Sequence, residues 1–122
     1  LPILCNSLEN DKSWEVRRNA AIALEMHGDN FSSKSLSSAI SDLHWQVRKF
    51  SMRALTKVLS EEYFGVIVKL LCDDYSDVRK EAAIALGLLG SKKAIPSLKQ
   101  SLDDADIEVR IQSQKALEKL NV

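Results

Sequence analysis

The dipeptide Val-Arg occurs at Val16-Arg17, Val47-Arg48, Val78-Arg79 and Val109-Arg110, a constant step of 31 residues, and nowhere outside that register. Self-similarity at such a step marks a repeat architecture, in which each supersecondary unit completes the core of its neighbour. Other positions keep the same step. Seven residues after each Val stands Ala-Leu, as Ala23-Leu24, Ala54-Leu55, Ala85-Leu86 and Ala116-Leu117; four after it stands a small residue, Ala20, Ser51, Ala82 or Ser113. Five before it stands Asp11, Asp42, Asp73 or Asp104, and twelve after it Gly28, Leu59, Gly90 or Asn121.

Val, the small residue, Leu and an apolar position near eleven (Val58, Leu89, Leu120) recur at helical spacing, which predicts one helix per Val-Arg segment. Ser13 and Asp106 suit its N-cap, whereas His44 and Tyr75 are poor caps. Gly28, Gly90 and Asn121 suit the left-handed residue past its end. A second, shorter apolar pattern lies upstream, clearest in Ala94, Ile95, Leu98 and Leu102 and in Phe64, Ile67, Val68 and Leu71. Two helices per repeat cannot bury their apolar stripes alone, so the expected fold is all-α, a right-handed α-solenoid of four two-helix repeats over residues 1–29, 30–60, 61–91 and 92–122. They are expected to form one domain, cut from a longer solenoid because Leu1-Pro2-Ile3-Leu4 is no polar cap.

The 122 residues, 45% hydrophobic and 28% charged, carry 17 basic and 17 acidic side chains. A zero net charge disfavours a surface built throughout to grip nucleic acid or anionic lipid. The longest uncharged apolar run, Ala82 to Gly90, is too short to span a bilayer. Cys5 and Cys72 fall two repeats apart, about 20 Å at roughly 10 Å per helix layer, so no disulfide joins them within the chain. Both are expected to be free thiols buried as small hydrophobes, in a cytoplasmic, reducing setting.

The segment Asp73 to Gly90, DDYSDVRKEAAIALGLLG, resembles the HEAT-like repeat of the phycobilisome-lyase type: an Asp, then Val-Arg, a paired Ala, Ala-Leu-Gly and a final Gly. The resemblance implies a structural ladder of turn Asp and helix Arg: Asp42, Asp73 and Asp104 with Arg17, Arg48, Arg79 and Arg110. An Arg fork can hold a carboxylate of the next repeat and the carbonyls of its own turn together. Repeat one carries one extra residue before its Val, so Asn10 rather than Asp11 is expected in the ladder slot. Repeat two has Ser51-Met52 for the paired Ala, no glycine and a serine-rich opening from Ser32 to Ser38 capped by Asn30 or Ser32, and is expected to be the least ideal unit. In repeat four, Gln114 stands where Ala21, Met52 and Ala83 stand, as in a C-terminal cap.

No catalytic constellation emerges. His27 and His44 lack partners at metal-ligand spacing, and His27-Gly28 and His44-Trp45 are not the His-Glu pairs with which the HEAT-repeat enzyme deoxyhypusine hydroxylase holds iron. There is no phosphate loop, no G-x-S-x-G and no Cys placed to meet a His, so neither catalytic residues nor a cofactor or metal is expected. Trp14 and Trp45 share the slot two before Val, where a recurring aromatic closes the gap between turns more often than it stacks on a ligand.

With Val, +4, +7, +8 and +11 assigned to the core, positions −1, +2, +3, +6 and +10 of the second helices form the open, concave face. Arg18, Asn19, Ile22, Lys49, Phe50, Arg53, Lys57, Lys80, Glu81, Ile84, Leu88 and Lys115 are its candidate partner-binding residues. Over this whole face seven bases meet four acids, interleaved with apolar groups, and three of the acids (Glu15, Asp77, Glu108) sit in the first turn, where they complement the helix dipole. Lys49, Arg53 and Lys57 recur every four residues and are expected in one line on one helix. Apolar groups rimmed by charge predict a protein contact. The expected function is a non-enzymatic scaffold that binds a protein or peptide, of acidic character, on this face. Alternatives are a phycobilin lyase-like accessory factor that handles a bilin and, ranked third, a nucleic-acid-binding HEAT-like module.

Overall fold

A computed structural model describes residues 2–27 and 32–121, so Gly28 and Asn30, expected to end and to cap helices, lie outside the described residues. Among the described residues eight α-helices follow the periodic pattern: α1 (Pro2–Asn10), α2 (Trp14–His27), α3 (Ser33–Ala39), α4 (Trp45–Leu55), α5 (Phe64–Lys69), α6 (Ser76–Leu89), α7 (Ile95–Ser101) and α8 (Ile107–Lys119). Short 3-10 turns flank several of them, and no strand occurs among the described residues. The chain divides into two compact units, Leu1–Leu59 and Ser60–Val122, each holding two helix pairs.

In the first unit α1 packs on α2, α3 on α4, and α2 on α4; in the second, α5 packs on α6, α7 on α8, and α6 on α8. The Val at the start of each second helix is fully buried at Val47, Val78 and Val109. Burying such a side chain stabilises by about 1.5–3 kcal/mol, which is why the pattern holds its register. Val16 departs from it and is 40% exposed. The +4 residues Ala20, Ser51, Ala82 and Ser113 and the +8 residues Leu24, Leu55, Leu86 and Leu117 are all buried. So are Ala21, Met52 and Ala83, whereas Gln114 in the same slot is exposed and reaches Glu118.

Helix ends follow local chemistry. Gly90 terminates α6 at φ +79°, and Asn121 beyond α8 adopts φ +62°, left-handed conformations that Gly and Asn tolerate best. Repeat two has no such residue, so α4 stops at Leu55 and tightens into the 3-10 turn Thr56–Val58 before Leu59 leaves in extended conformation. Asp106 caps α8 by accepting from the Val109 N–H at 3.1 Å. His44, expected to cap poorly, does cap α4: its Nδ1 accepts from the Gln46 N–H at 3.2 Å, so an imidazole nitrogen serves where a carboxylate or hydroxyl oxygen is usual.

Among the described residues no helix is long and apolar enough to cross a membrane, and no three His, Cys, Asp or Glu side chains cluster to hold a metal ion. Both cysteines are free thiols, but Cys72 is exposed and Cys5 half-buried, which corrects the expectation of buried hydrophobes: Cys5 lies mid-way along α1, whose buried residue is Leu8, and Cys72 ends the 3-10 turn Leu70–Cys72, in which Leu70 and Leu71 take the buried positions.

Candidate functional site

The second helices are positioned by their turns. In each unit one Arg spans two repeats: Arg17 Nε and Nη2 donate to the two carboxylate oxygens of Asp42 at 2.8 and 3.1 Å, and Arg79 does the same to Asp104 at 2.8 and 3.0 Å. The same guanidinium also donates through Nη1 to a carbonyl of its own turn, Asp11 O for Arg17 and Asp73 O for Arg79, at 2.9 and 2.8 Å. Arg48 and Arg110 donate likewise to Asp42 O and Asp104 O. The turn Asp closes the motif by accepting the N–H two residues on: Ser13 to Asp11, His44 to Asp42, Tyr75 to Asp73 and Asp106 to Asp104. Asp11 therefore fills the slot in repeat one, not Asn10, which ends α1 and bonds Asn6. The extra residue of that repeat is absorbed before the Asp, which keeps its distance of five from Val16.

Electrostatics agree with this geometry. The hydrogen bond to Asp42 raises the Arg17 guanidinium above its ordinary value against the opposing effect of burial, and the bond to Asp104 does the same for Arg79. Burial alone would push the Asp104 carboxyl up; the Arg79 hydrogen bond, the Asp106 N–H and the charges of Arg79 and Arg110 outweigh it and hold the group below the usual carboxylate range.

Around the first unit's turns the aromatics form a stack. The rings of Trp14 and His44 are nearly parallel, 3.7 Å apart, with Trp45 6.4 Å beyond His44 and the Arg18 guanidinium 5.1 Å over Trp14. Arg18 also donates to Gln46 Oε1 at 3.0 Å. Trp14 thus closes the space to the neighbouring turn, where it meets His44. His44, which sequence reasoning left without a role, stacks on Trp14 of the preceding repeat's turn; its place next to Trp45, in the turn that follows Trp14's, was the available signal.

The positions assigned to the open face are all exposed or half-exposed, from Glu15 through Lys119. They are not equally available. Arg53 lies 3.7 Å from Glu25 and, like Lys49, sits over the Phe50 ring at a little over 5 Å. Lys57 falls in the 3-10 turn after α4, so the expected straight line of three bases on one helix ends at Arg53, because α4 has no residue to prolong it past Leu55. In the second unit Ile84 is half-buried, Leu88 is 53% exposed, and both border a groove of about 210 Å³ between α6 and α8. Sequence reasoning missed this groove. Its signal is the +9 position, which reads Glu25, Thr56, Gly87 and Glu118 down the repeats: only repeat three lacks a side chain there.

The model for HEAT repeats matches residues 33–118, and a HEAT repeat model matches residues 1–26. The chain belongs to the HEAT-repeat family. Solved structures agree on an all-α, α-solenoid fold class. This HEAT-repeat chain is similar to a crystal structure of an engineered protein (26% identity, TM-score 0.76, 98% of this chain and 61% of that one). It is similar to a designed armadillo repeat protein in complex with the peptide (KR)4 (24% identity, TM-score 0.82, 97% and 63%). It is also similar to the complex of CpcE and CpcF of phycocyanin lyase from Nostoc sp. PCC7120 (16% identity, TM-score 0.70, 98% and 64%), a likeness of fold alone. The chain thus spans less than two thirds of the length of each of these structures. Among curated proteins no sequence matches it.

Proposed function

We propose that this HEAT-repeat chain is a non-enzymatic interaction module, whose second-helix faces hold a segment of a partner protein. The observation that carries the reading is the division of labour within each unit. The Arg–Asp forks and the buried Val, +4 and +8 residues fix the helices, while none of the positions −1, +2, +3, +6 and +10 is used by the core. Those positions mix basic and apolar groups, the composition of a contact surface with a polar rim. A repeat protein with a similar fold carries a peptide, and another forms a complex between two proteins. The excess of bases over acids, which lies on the first unit's faces with Arg18, Lys49, Arg53 and Lys57 against Glu15, favours an acidic segment there.

Photoreactive side chains introduced singly at Phe50 and Ile84, and as controls at Lys69 and Lys99 on the first helices, test the reading in cell extract. Cross-links to a common partner from Phe50 and Ile84 are expected. Cross-links confined to Lys69 and Lys99 would overturn it. The bilin alternative has only a likeness of fold in its favour, which hosts unrelated activities, and the nucleic-acid alternative only the bases Lys49, Arg53 and Lys57, of which the first two share α4.

A further inference from the structure

The groove between α6 and α8 lies beside Gly87, where the absence of a side chain lets the two helices approach closely and the Lys119 stem rest near the glycine. A Cβ built on Gly87 would stand 2.9 Å from Ala116 Cα and 3.0 Å from Ala116 Cβ, so the two helices approach to backbone contact at that point. The seam above the contact is then floored by Gly87 and Ala116, walled by Ile84 and Leu88 from α6, and rimmed by Lys115 and Lys119 from α8. In the first unit the equivalent seam is occupied by Glu25 and Arg53, the +9 residue of α2 and the +6 residue of α4, 3.7 Å apart. The two seams thus differ in kind: one is closed by an ion pair, the other is an apolar slot.

We propose that this slot is an anchor pocket, taking one large apolar side chain of an acidic peptide segment and meeting a carboxylate beside that anchor with Lys115 and Lys119. The proposal rests on the reading of the second-helix faces as a peptide-binding surface and names the subsite and the ligand chemistry. Size permits it: about 210 Å³ compares with the roughly 150 Å³ cavity that accepts a benzene, so a Leu, Ile, Met or Phe side chain fits. Leu88 leaves more than half its surface to water, so covering it with an apolar group is favourable. Charge selects the rest of the segment. Two ammonium groups and the Gln112 amide line the slot, no carboxylate does, and neither Lys115 nor Lys119 makes an ion pair among the described residues.

Selection of the whole chain against a phage-displayed library of random dodecapeptides tests the pocket, with Leu88→Lys, the pair Lys115→Glu/Lys119→Glu and, on the other unit, the pair Arg53→Glu/Lys57→Glu as variants. All five residues lie at least partly in solvent, and circular dichroism checks that each variant is folded. The expected result is enrichment of peptides with a Leu, Ile, Met or Phe beside Asp or Glu. Their affinity should fall about tenfold or more when the anchor is changed to Ala or when either pocket variant is used. Peptides indifferent to both pocket variants but lost with Arg53→Glu/Lys57→Glu would overturn the pocket and leave the peptide-binding reading standing. Enriched peptides indifferent to every variant, or no enrichment at all, would overturn both.

Discussion

The two units repeat one construction and finish it differently. In both, an Arg fork at 2.8 Å ties the second helix of one pair to the turn Asp of the next, Arg17 to Asp42 and Arg79 to Asp104. Beyond that ladder the first unit uses its side chains on itself: Trp14, His44 and Trp45 stack across the turns, Arg18 bonds Gln46, and Glu25 pairs with Arg53. The second unit has Ser76 and Ile107 in the two Trp slots, leaves Ile107 60% exposed, and keeps a slot open beside Gly87. The ladder therefore supplies the frame, and a few positions off the ladder decide whether the seam between two second helices is closed by an ion pair or left open.

The largest effect expected from perturbing this frame is on the ladder. Arg17→Ala and Arg79→Ala should each cost about 1.5–3 kcal/mol, because a half-buried charged donor is lost and its carboxylate is stranded. Lys80→Ala, beside the ladder, should change stability by no more than about 0.5 kcal/mol. Urea melts of the three variants decide it, and equal midpoints for Arg79→Ala and Lys80→Ala would mean that the fork contributes nothing. The ladder also has a pH signature. Since the folded protein holds the Asp104 carboxyl below its ordinary value, its stabilisation is complete above the unfolded-state value near about 4 and is lost as the pH falls through the lower folded value. Asp104→Asn should lower stability at neutral pH and lose less of it on acidification. An unchanged slope in melts below about pH 4 would contradict that.

Next in size is the seam. Gly87→Ala gains helix propensity of about 1 kcal/mol but forces a methyl against the Ala116 backbone, an overpacking that costs about 1–3 kcal/mol, so the net change should be destabilising. Glu25→Ala, at the same repeat position of the first unit, breaks only a long, partly exposed ion pair and should cost less than about 1 kcal/mol. A Gly87→Ala protein more stable than the parent would show that α6 and α8 have room between them.

Of opposite sign is the +4 slot. Ser51 in one unit and Ser113 in the other bury a hydroxyl that finds no hydrogen-bond partner, where Ala20 and Ala82 bury a methyl. Ser51→Ala and Ser113→Ala should each raise stability by about 1 kcal/mol by removing an uncompensated polar group. A loss in thermal melts would mean that these hydroxyls are satisfied in solution.

Much of this was legible in the sequence because the period of 31 samples every structural position four times. Helices, their buried faces, the Asp turns and the left-handed residues at Gly90 and Asn121 all follow from spacing and local propensity. What escaped was set by tertiary partners. Val16 has the pattern of a core residue and is 40% exposed, which periodicity alone does not show. His44 is a poor cap by type, yet it caps because Trp14 holds its ring in place. Lys57 has the spacing of Lys49 and Arg53 but not their helix, since repeat two lacks a glycine to end α4 cleanly further on. The open slot is a difference between two seams, visible only when the seams themselves are compared.

Lysine footprinting tests the central claim most directly, because lysines lie on both sides of each unit: Lys49, Lys80, Lys115 and Lys119 on second helices, Lys34, Lys69 and Lys99 on first helices. Acetylation rates would be measured by mass spectrometry with and without a bound acidic peptide. The account predicts that the second-helix lysines are shielded, Lys115 and Lys119 most of all, while Lys34, Lys69 and Lys99 react as before. Shielding of Lys34, Lys69 and Lys99 with the second-helix lysines unchanged would contradict it.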